Sequence, residues 1–162
     1  MALSDQTKFN ETIRQTRQKI SLADYQIIHA VGSKNEVPRA EPGYLPLAYI
    51  DDMASAYAAS DLVISRSGAV TVTETGVLGI YTLYVPLPIG NGEQVFNARS
   101  VTEHGGGEII DNQEFSAEWL SENIVRLVGQ AQNYRQSGAH LDFPLDASVN
   151  IGKRILKELA YE

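Results

Sequence analysis

The residues from Ser60 to Glu74 combine an apolar segment, a turn of small residues and a carboxylate. Leu62 to Ser65 has the composition of a buried strand, and Arg-Ser-Gly at positions 66–68 leads directly into a predicted helix. Backbone N–H groups at a helix N-terminus attract phosphate oxygens. Glu74, in the second turn, could accept hydrogen bonds from ribose hydroxyls, so the stretch could hold a nucleotide sugar. An ordinary turn with a capping box from Thr71 to Glu74 is an open alternative.

A second polar cluster follows the next predicted strand, Tyr81 to Val85. The chain breaks at Pro86, continues as a loop with two glycines, and delivers Glu93, Gln94 and Asn97 to the start of another helix. Carboxamides both donate and accept hydrogen bonds, as sugar hydroxyls require. Polar helix caps alone would also explain this loop. Two such loops after successive strands favour a ligand site, because open α/β sheets bind ligands at the carboxyl ends of their strands.

Short apolar segments alternate with helical patterns along the chain. The predicted strands cover residues 25–31, 45–49, 62–65, 81–85 and 108–110. The predicted helices cover residues 10–20, 53–59, 69–78, 94–104, 117–128, 130–137 and 147–160. This alternation predicts an α/β fold, with a Rossmann-like parallel sheet and helices on both of its faces.

The composition excludes several classes of protein. The length of 162 residues suits one domain, and 43% hydrophobic residues allow a substantial core. A formal net charge of −7 argues against a nucleic-acid partner, since such binding depends on basic surface. Without cysteine, neither disulfides nor thiolate metal sites can form. No apolar stretch approaches the ~20 residues of a membrane span, which favours the cytoplasm.

The three histidines do not combine with carboxylates at the spacing of metal ligands, so neither a metal nor a cofactor is expected. His29 lies in the first predicted strand, where a structural role is favoured. His104 precedes three glycines and is typical of a helix C-terminus.

Taken together, these motifs resemble the C-terminal half of the MurG family, bacterial UDP-N-acetylglucosamine (UDP-GlcNAc) transferases that convert lipid I to lipid II. The resemblance extends from about Asn10 to about Leu159 and implies the C-terminal half of a GT-B fold in glycosyltransferase family 28. It rests on Ile-Asp-Asp-Met at 50–53, Arg-Ser-Gly-Ala at 66–69, Thr-Val-Thr-Glu at 71–74 and Gly-Asn-Gly-Glu-Gln-x-x-Asn-Ala at 90–98. The form Gly-Asn-Gly-Glu-Gln is most similar to actinobacterial members.

The resemblance assigns the nucleotide contacts to residues on three loops or helices. Glu74 would hold the ribose hydroxyls, and the backbone of Ile50 would read the uracil base. The residues that would lie beside the diphosphate and the ribose are Arg66, Ser67, Gly68 and Ala69.

The resemblance also places the sugar near the start of the helix at 94–104. Gln94 matches a glutamine that contacts GlcNAc hydroxyls, and Asn97 matches an asparagine that braces the loop. Glu93 departs from the paired glutamines of many proteobacterial members, since an ionised carboxylate accepts hydrogen bonds but cannot donate them.

Partners and a place in the cell follow from the same resemblance. UDP-GlcNAc would bind this chain, whereas lipid I would bind an N-terminal domain that the chain lacks. The acceptor pocket and the general base would lie in that domain, so no catalytic residue is assigned here and the chain alone is expected to transfer no sugar. The complete protein would be an inverting transferase of peptidoglycan synthesis, peripheral on the cytoplasmic face of the cell membrane.

One strand of the family's domain is not found in this sequence. The family begins the domain with a strand and a Gly-Gly-Ser-x-Gly-Ala loop, and residues 1–9 contain neither. In the sheet order 3-2-1-4-5-6 the first strand is central, so its absence would expose the edges of the strands at 25–31 and 62–65. We expect the sheet to close abnormally, to be filled by residues 1–9, or to be completed by another chain through self-association.

Three other interpretations stay open. The chain could be a stand-alone nucleotide-sugar-binding subunit of a two-component transferase, whose partner binds the acceptor. It could belong to a UDP-GlcNAc 2-epimerase, although no convincing set of catalytic acids and a histidine is present. A flavodoxin-like module without enzymatic activity is the third, and flavin absorbance would reveal it.

Overall fold

A computed structural model describes residues 5–21, 24–140 and 146–159. Helices and strands alternate along these residues, which confirms the predicted α/β class. The helices are α1 Asp5–Lys19, α2 Met53–Ala59, α3 Ala69–Val77, α4 Glu93–Thr102, α5 Ala117–Ser137 and α6 Ala147–Leu159. The strands are β1 Ile27–Ala30, β2 Tyr44–Leu47, β3 Val63–Ser65, β4 Thr82–Tyr84 and β5 Gly107–Ile109.

The strands form two parallel sheets. β1 pairs with β2, with Ile27 opposite Tyr44, whereas β4 lies between β3 and β5 in a second sheet. Within the described ranges, no ladder joins β1 to β3. These two strands are the ones that the sequence predicted on either side of a missing central strand.

The prediction that residues 1–9 take the place of the missing central strand is wrong for residues 5–9. Residues 5–9 lie in the first turns of α1 and add no strand to either sheet, while residues 1–4 lie outside the described residues. Helix α1 therefore begins five residues earlier than predicted. Phe9 and Ile13 are buried on its apolar face, and their burial extends the helix over residues that the sequence left unassigned.

Helix α1 contacts both sheets. Its Asn10 side chain donates a hydrogen bond of 2.8 Å to the carbonyl of Val31, directly after β1. The carbonyl of Asp5 accepts a 2.6 Å hydrogen bond from Arg66, directly after β3. Between these points, Phe9 and Ile13 share a buried apolar cluster with residues in and next to β4 and with residues of α5, which include Tyr81, Leu83, Val85, Leu120 and Leu127.

A chain of buried polar groups joins α1 to β1 and β2. The ring of His29 contacts the hydroxyl of Tyr44 through Nδ1 at 3.0 Å and Oδ1 of Asn10 through Nε2 at 3.3 Å. A neutral ring protonated on Nε2 satisfies both contacts: Nε2–H donates to Oδ1 of Asn10, and Nδ1 accepts from the hydroxyl of Tyr44. Oδ1 of Asn10 is the acceptor because the amide nitrogen of Asn10 already donates to Val31. His29 is 5% exposed, in agreement with the structural role predicted for it.

Helix α5 is one helix of 21 residues, so the break predicted at Gly129 is wrong. A glycine inside a helix costs about 1 kcal/mol relative to alanine, which is less than the packing of a buried face contributes. Leu127 and Ala131, on either side of Gly129, are both buried, so the apolar face continues through the glycine. The helix ends at Gly138, whose φ of +66° suits a glycine.

Helix α6 exposes its apolar residues. Its exposed apolar side chains are Val149, Ile151, Ile155, Leu156 and Leu159, each more than half accessible.

Among the described helices, none has the length and apolar character needed to cross a bilayer.

We predict that His29 makes the stability of the fold depend on pH. Burial, with a smaller contribution from the charge of Arg14, lowers the pKa of His29 from 6.5 to about 4. The folded chain thus binds fewer protons here than the unfolded chain, so the stabilisation is complete above about pH 6.5 and is lost as the pH falls towards 4. Urea unfolding of the parent and of His29→Gln between pH 7.5 and 4.5 should show a smaller pH dependence for the variant.

His140→Gln is the matched control, because His140 is exposed and bonds only locally, to the carbonyl of Gly138. It should keep the pH dependence of the parent. A parental pH dependence in His29→Gln would show that other groups cause the loss at low pH.

We also predict that Arg66→Met destabilises the fold. Arg66 donates to the carbonyls of Val85 at 2.9 Å and Asp5 at 2.6 Å and to Oδ1 of Asn112 at 2.7 Å. Losing hydrogen bonds from a charged donor to buried acceptors should lower the free energy of unfolding by about 2–3 kcal/mol. Arg135→Met is the control: Arg135 bonds to Asp61 and Ser60 at the surface, so its loss should cost about 0–1 kcal/mol. Equal losses in urea unfolding would contradict this role for Arg66.

Candidate functional site

The predicted site residues lie in loops and helix starts that follow β2, β3 and β4. Ile50 lies between β2 and α2, residues 66–68 connect β3 to α3, and Glu93 begins α4. Since β3 and β4 are parallel neighbours, their carboxyl ends open onto the same edge of the sheet. This is the edge at which open α/β sheets bind ligands.

The N-terminus of α3 is open. Gly68 is the N-cap with extended backbone, and no side chain caps the helix. A Cβ added to Gly68 would meet no atom within 4 Å, so there is free space beside the first turn. The capping box considered from Thr71 to Glu74 is wrong, because both residues lie inside the helix. The first N–H groups of α3 can therefore face an acceptor such as a phosphate oxygen.

Ser67 lies directly before this open turn. Its side chain is fully buried, and its hydroxyl has no hydrogen-bond partner among the described residues. Buried hydroxyls in folded proteins are normally paired, so an unpaired one next to an open helix N-terminus is a candidate ligand contact. The backbone carbonyl of Ser67, in contrast, is held by Nδ2 of Asn97 at 3.1 Å.

Arg66 uses its side chain within the protein. Four acceptors surround the guanidinium, the carbonyl of Pro86 at 3.5 Å being the most distant, and the guanidinium also lies 4.8 Å above the ring of Phe9. The structure thus places the Arg66 side chain among protein groups at the start of α1. The predicted position of Arg66 beside a diphosphate stays a prediction. The backbone after Arg66 leads through Ser67 and Gly68 into the open first turn of α3.

Glu74 is exposed on α3 and receives one hydrogen bond from a neighbouring helix. The hydroxyl of Tyr57, on α2, donates to Oε2 of Glu74 at 2.9 Å. Burial raises the pKa of Tyr57, and the bond to Glu74 raises it further, so the phenol remains a donor. The second carboxylate oxygen, Oε1, is left for another donor.

Two side chains of α4 hold the loops that precede α3 and α4. Oε1 of Gln94 accepts the backbone N–H of Leu87 at 3.0 Å, which leaves the amide group of Gln94 free to donate. Asn97 connects α4 to the loop before α3 through Ser67. The bracing role predicted for Asn97 and a donor role for Gln94 are compatible with this geometry.

Glu93 folds back over its own loop. A Cβ added to Gly90 would lie 2.5 Å from Oε2 of Glu93, so the carboxylate occupies the space above this glycine. Gly90 and Gly92 have φ angles of +62° and +79°, a region that favours glycine, and together they turn the chain into α4. Glu93 supplies an acceptor at this edge of the sheet.

Ile50 leaves its backbone available to a ligand. It is half-buried in the loop before α2, and its N–H and C=O make no hydrogen bond to another described residue. Asp52 begins α2 by accepting the N–H of Ser55 at 3.0 Å and its hydroxyl at 2.6 Å. These bonds also lower the pKa of Asp52.

The structure thus links some of the predicted residues to one another. Asn97 bonds to the carbonyl of Ser67, whereas no hydrogen bond joins Ile50 to another predicted residue in the part of the chain that the structure describes. Two residues missed by the sequence analysis support the site: Tyr57, which bonds to Glu74, and Asn112, which bonds to Arg66. Tyr57 is the one large side chain in the small-residue run 54–59, and that contrast is the signal that could have identified it.

The part of the chain that the structure describes contains no group of three or more histidine, aspartate or glutamate residues able to hold a metal ion. The polar groups of the site are backbone amides, hydroxyls, carboxamides and carboxylates.

Solved structures with a similar fold are glycosyltransferases. The crystal structure of MurG from Acinetobacter baumannii superposes with a TM-score of 0.65 and 28% sequence identity, covering 83% of this chain and 42% of that one. The glycosyltransferase of kitacinnamycin gives a TM-score of 0.59 at 16% identity, a likeness of fold alone.

Three relatives carry the name UDP-N-acetylglucosamine–N-acetylmuramyl-(pentapeptide) pyrophosphoryl-undecaprenol N-acetylglucosamine transferase. The protein of Streptomyces coelicolor is 42% identical over 142 residues, 84% of this chain and 39% of the relative. Those of Corynebacterium diphtheriae and a Mycobacterium species are 49% and 39% identical, over 68% and 88% of this chain. The chain thus spans 31% to 40% of the length of these relatives.

The profile of the glycosyltransferase family 28 C-terminal domain matches residues 4–149, nearly the whole chain. This match agrees with the resemblance found in the motifs and with the fold. The chain belongs to the glycosyltransferase family 28 C-terminal domain family.

Proposed function

We propose that this chain is the UDP-GlcNAc-binding domain of an N-acetylglucosaminyltransferase that converts lipid I to lipid II. The observation that carries the proposal is the open N-terminus of α3, with the unpaired hydroxyl of Ser67 before it and the carboxylate of Glu74 in its second turn. Relatives at 39% to 49% identity are named for this transfer, which supports the choice of substrate.

Each part of the nucleotide sugar has a matching group in this proposal. The diphosphate would accept hydrogen bonds from the first N–H groups of α3 and from Ser67. The ribose hydroxyls would donate to Glu74, and the uracil would pair with the free backbone of Ile50. The GlcNAc hydroxyls would meet the free amide of Gln94 and the carboxylate of Glu93, which supply a donor and an acceptor.

The transfer itself belongs to the longer protein in this proposal, because the chain spans at most 40% of the three relatives. A hydroxyl oxygen of the muramyl sugar in lipid I would form a bond to the anomeric carbon of GlcNAc while the bond to UDP breaks. The configuration at that carbon would invert, and the hydroxyl proton would pass to a base outside this chain. The acceptor is a membrane lipid, so the complete protein would work in the cytoplasm at the inner face of the membrane.

Glu74→Ala tests the ribose contact. A carboxylate that accepts hydrogen bonds from two hydroxyls should contribute about 1.5–3 kcal/mol to binding, as for other hydrogen bonds to charged groups. Titration of the 162-residue chain with UDP by NMR or calorimetry should show this loss. The parent should also prefer UDP to ADP.

Thr73→Ala is the matched control on the same exposed face of α3. Its hydroxyl bonds only to the carbonyl of Ala69 in the turn before it, so this variant should bind UDP as the parent does. If Glu74→Ala also binds UDP with parental affinity, Glu74 has no role at the ribose.

We further propose that the chain self-associates through the free edges of β1 and β3. Ile27 and Val31 donate their N–H groups to β2, so the backbone of Ala30 points to the opposite edge. Val63 donates to Tyr81 in the same way, which turns the backbone of Ile64 outward. Unpaired strand edges of this kind recruit other strands.

Light scattering across a concentration series tests this proposal. The average mass of the parent should rise with concentration, whereas Ala30→Pro should remain monomeric, because proline removes an edge N–H and leaves the β1–β2 ladder intact. A parent that is monomeric at every concentration would rule out self-association.

A further inference from the structure

We infer that Tyr57 is a positioning residue, which fixes the carboxylate of Glu74 in the orientation that receives the ribose hydroxyls. The inference deepens the proposed function and rests on it. Nothing in the motif around Glu74 indicates such a partner, because Tyr57 lies 17 positions away on another helix.

The two side chains differ in exposure in the way that this role requires. Tyr57 is 5% exposed, so its ring is fixed by packing, whereas Glu74 reaches the surface of α3. A glutamate side chain has several rotatable bonds and would otherwise sample many orientations. The 2.9 Å bond from the buried phenol restricts Oε2 and leaves Oε1 available. Binding a ligand to a carboxylate that is already oriented costs less entropy.

The direction of this hydrogen bond is fixed. Glu74 in its ionised form has no proton to donate, and burial together with the nearby carboxylate raises the pKa of Tyr57. The phenol therefore donates throughout the physiological pH range. A phenylalanine at this position would keep the ring and lose only the donor.

The position of Tyr57 also connects two parts of the proposed ligand site. The N-cap of α2 is Asp52, two residues after Ile50, and the helix carries Tyr57 in its second turn. The loop assigned to the uracil and the carboxylate assigned to the ribose are thereby held together through one short helix. The hydroxyl of Tyr57 thus joins the helix that follows the uracil loop to the carboxylate assigned to the ribose.

The experiment compares two ligands in the parent and in Tyr57→Phe. The ligands are UDP and 2′,3′-dideoxyuridine diphosphate, which lacks both ribose hydroxyls, titrated into the 162-residue chain by NMR. The parent should prefer UDP. In Tyr57→Phe the affinity for UDP should fall about three- to tenfold, as for loss of one hydrogen bond, while the affinity for the dideoxy ligand changes less than twofold.

Tyr84→Phe is the matched control. Tyr84 is fully buried, and its hydroxyl lies 2.6 Å from Oγ1 of Thr75, the residue next to Glu74 on α3. The variant removes a buried phenol hydroxyl that contacts the same helix from β4 and leaves the bond to the carboxylate in place, so it should keep the parental preference for UDP. An equal loss of preference in Tyr84→Phe would mean that loosening of α3, and not the bond to Glu74, causes the effect, and would overturn the inference.

The remaining outcomes separate the inference from the function on which it rests. If Glu74→Ala removes the preference for UDP and Tyr57→Phe retains it, the inference fails and the proposed function stands. If Glu74→Ala retains the preference, Glu74 has no role at the ribose and the inference fails, although UDP binding stands. If the parent does not respond to millimolar UDP, the proposed function fails and the inference fails with it.

Discussion

The position of α1 across the two sheets is the constraint on which the rest of the structure depends. Within the described residues, the sheets share no ladder, so backbone pairing does not hold β1 and β3 together. Helix α1 bonds to the carbonyl of Val31 at one point and to Arg66 at the other. These bonds involve partly or fully buried groups, whose loss is costly, and they fix the helix more specifically than apolar packing alone would.

The same contacts determine the shape of the candidate site. Because the Arg66 guanidinium is anchored on the carbonyls of Asp5 and Val85, the backbone that follows it enters α3 from a fixed point. Asn97 holds the next carbonyl, that of Ser67, from α4. The first turn of α3 is thus oriented from two sides before any ligand arrives. The first turn of α3 presents backbone groups that few substitutions can remove, and its orientation is set by side chains that bond to other parts of the protein.

The sequence predicted the fold well where a pattern is local. The alternation of apolar segments and helices gave the α/β class, and α2 was predicted with its observed bounds, Met53–Ala59. Helix α5 was predicted as two helices because glycine is unfavourable inside a helix, so Gly129 indicates a break. The buried packing that keeps the helix continuous cannot be read from the local sequence. The sequence placed Arg66 beside the diphosphate and the ribose but gave no sign of the partners of its side chain, because Asp5 and Asn112 lie 61 and 46 positions away. Tyr57 was missed for the same reason, since its bond to Glu74 is visible only after α2 and α3 have packed.

The contacts of α1 also constrain the order in which the chain can fold. Lys8 bonds to the carbonyl of Asn112, and Asp5 to its side chain, across 104 and 107 positions of sequence. Much of the apolar face of α1 packs against α5, which begins at Ala117. During synthesis, the apolar face of α1 therefore cannot be covered by α5 until more than two thirds of these residues have left the ribosome. Contacts this distant in sequence slow folding, and apolar surface that stays exposed in the meantime favours aggregation.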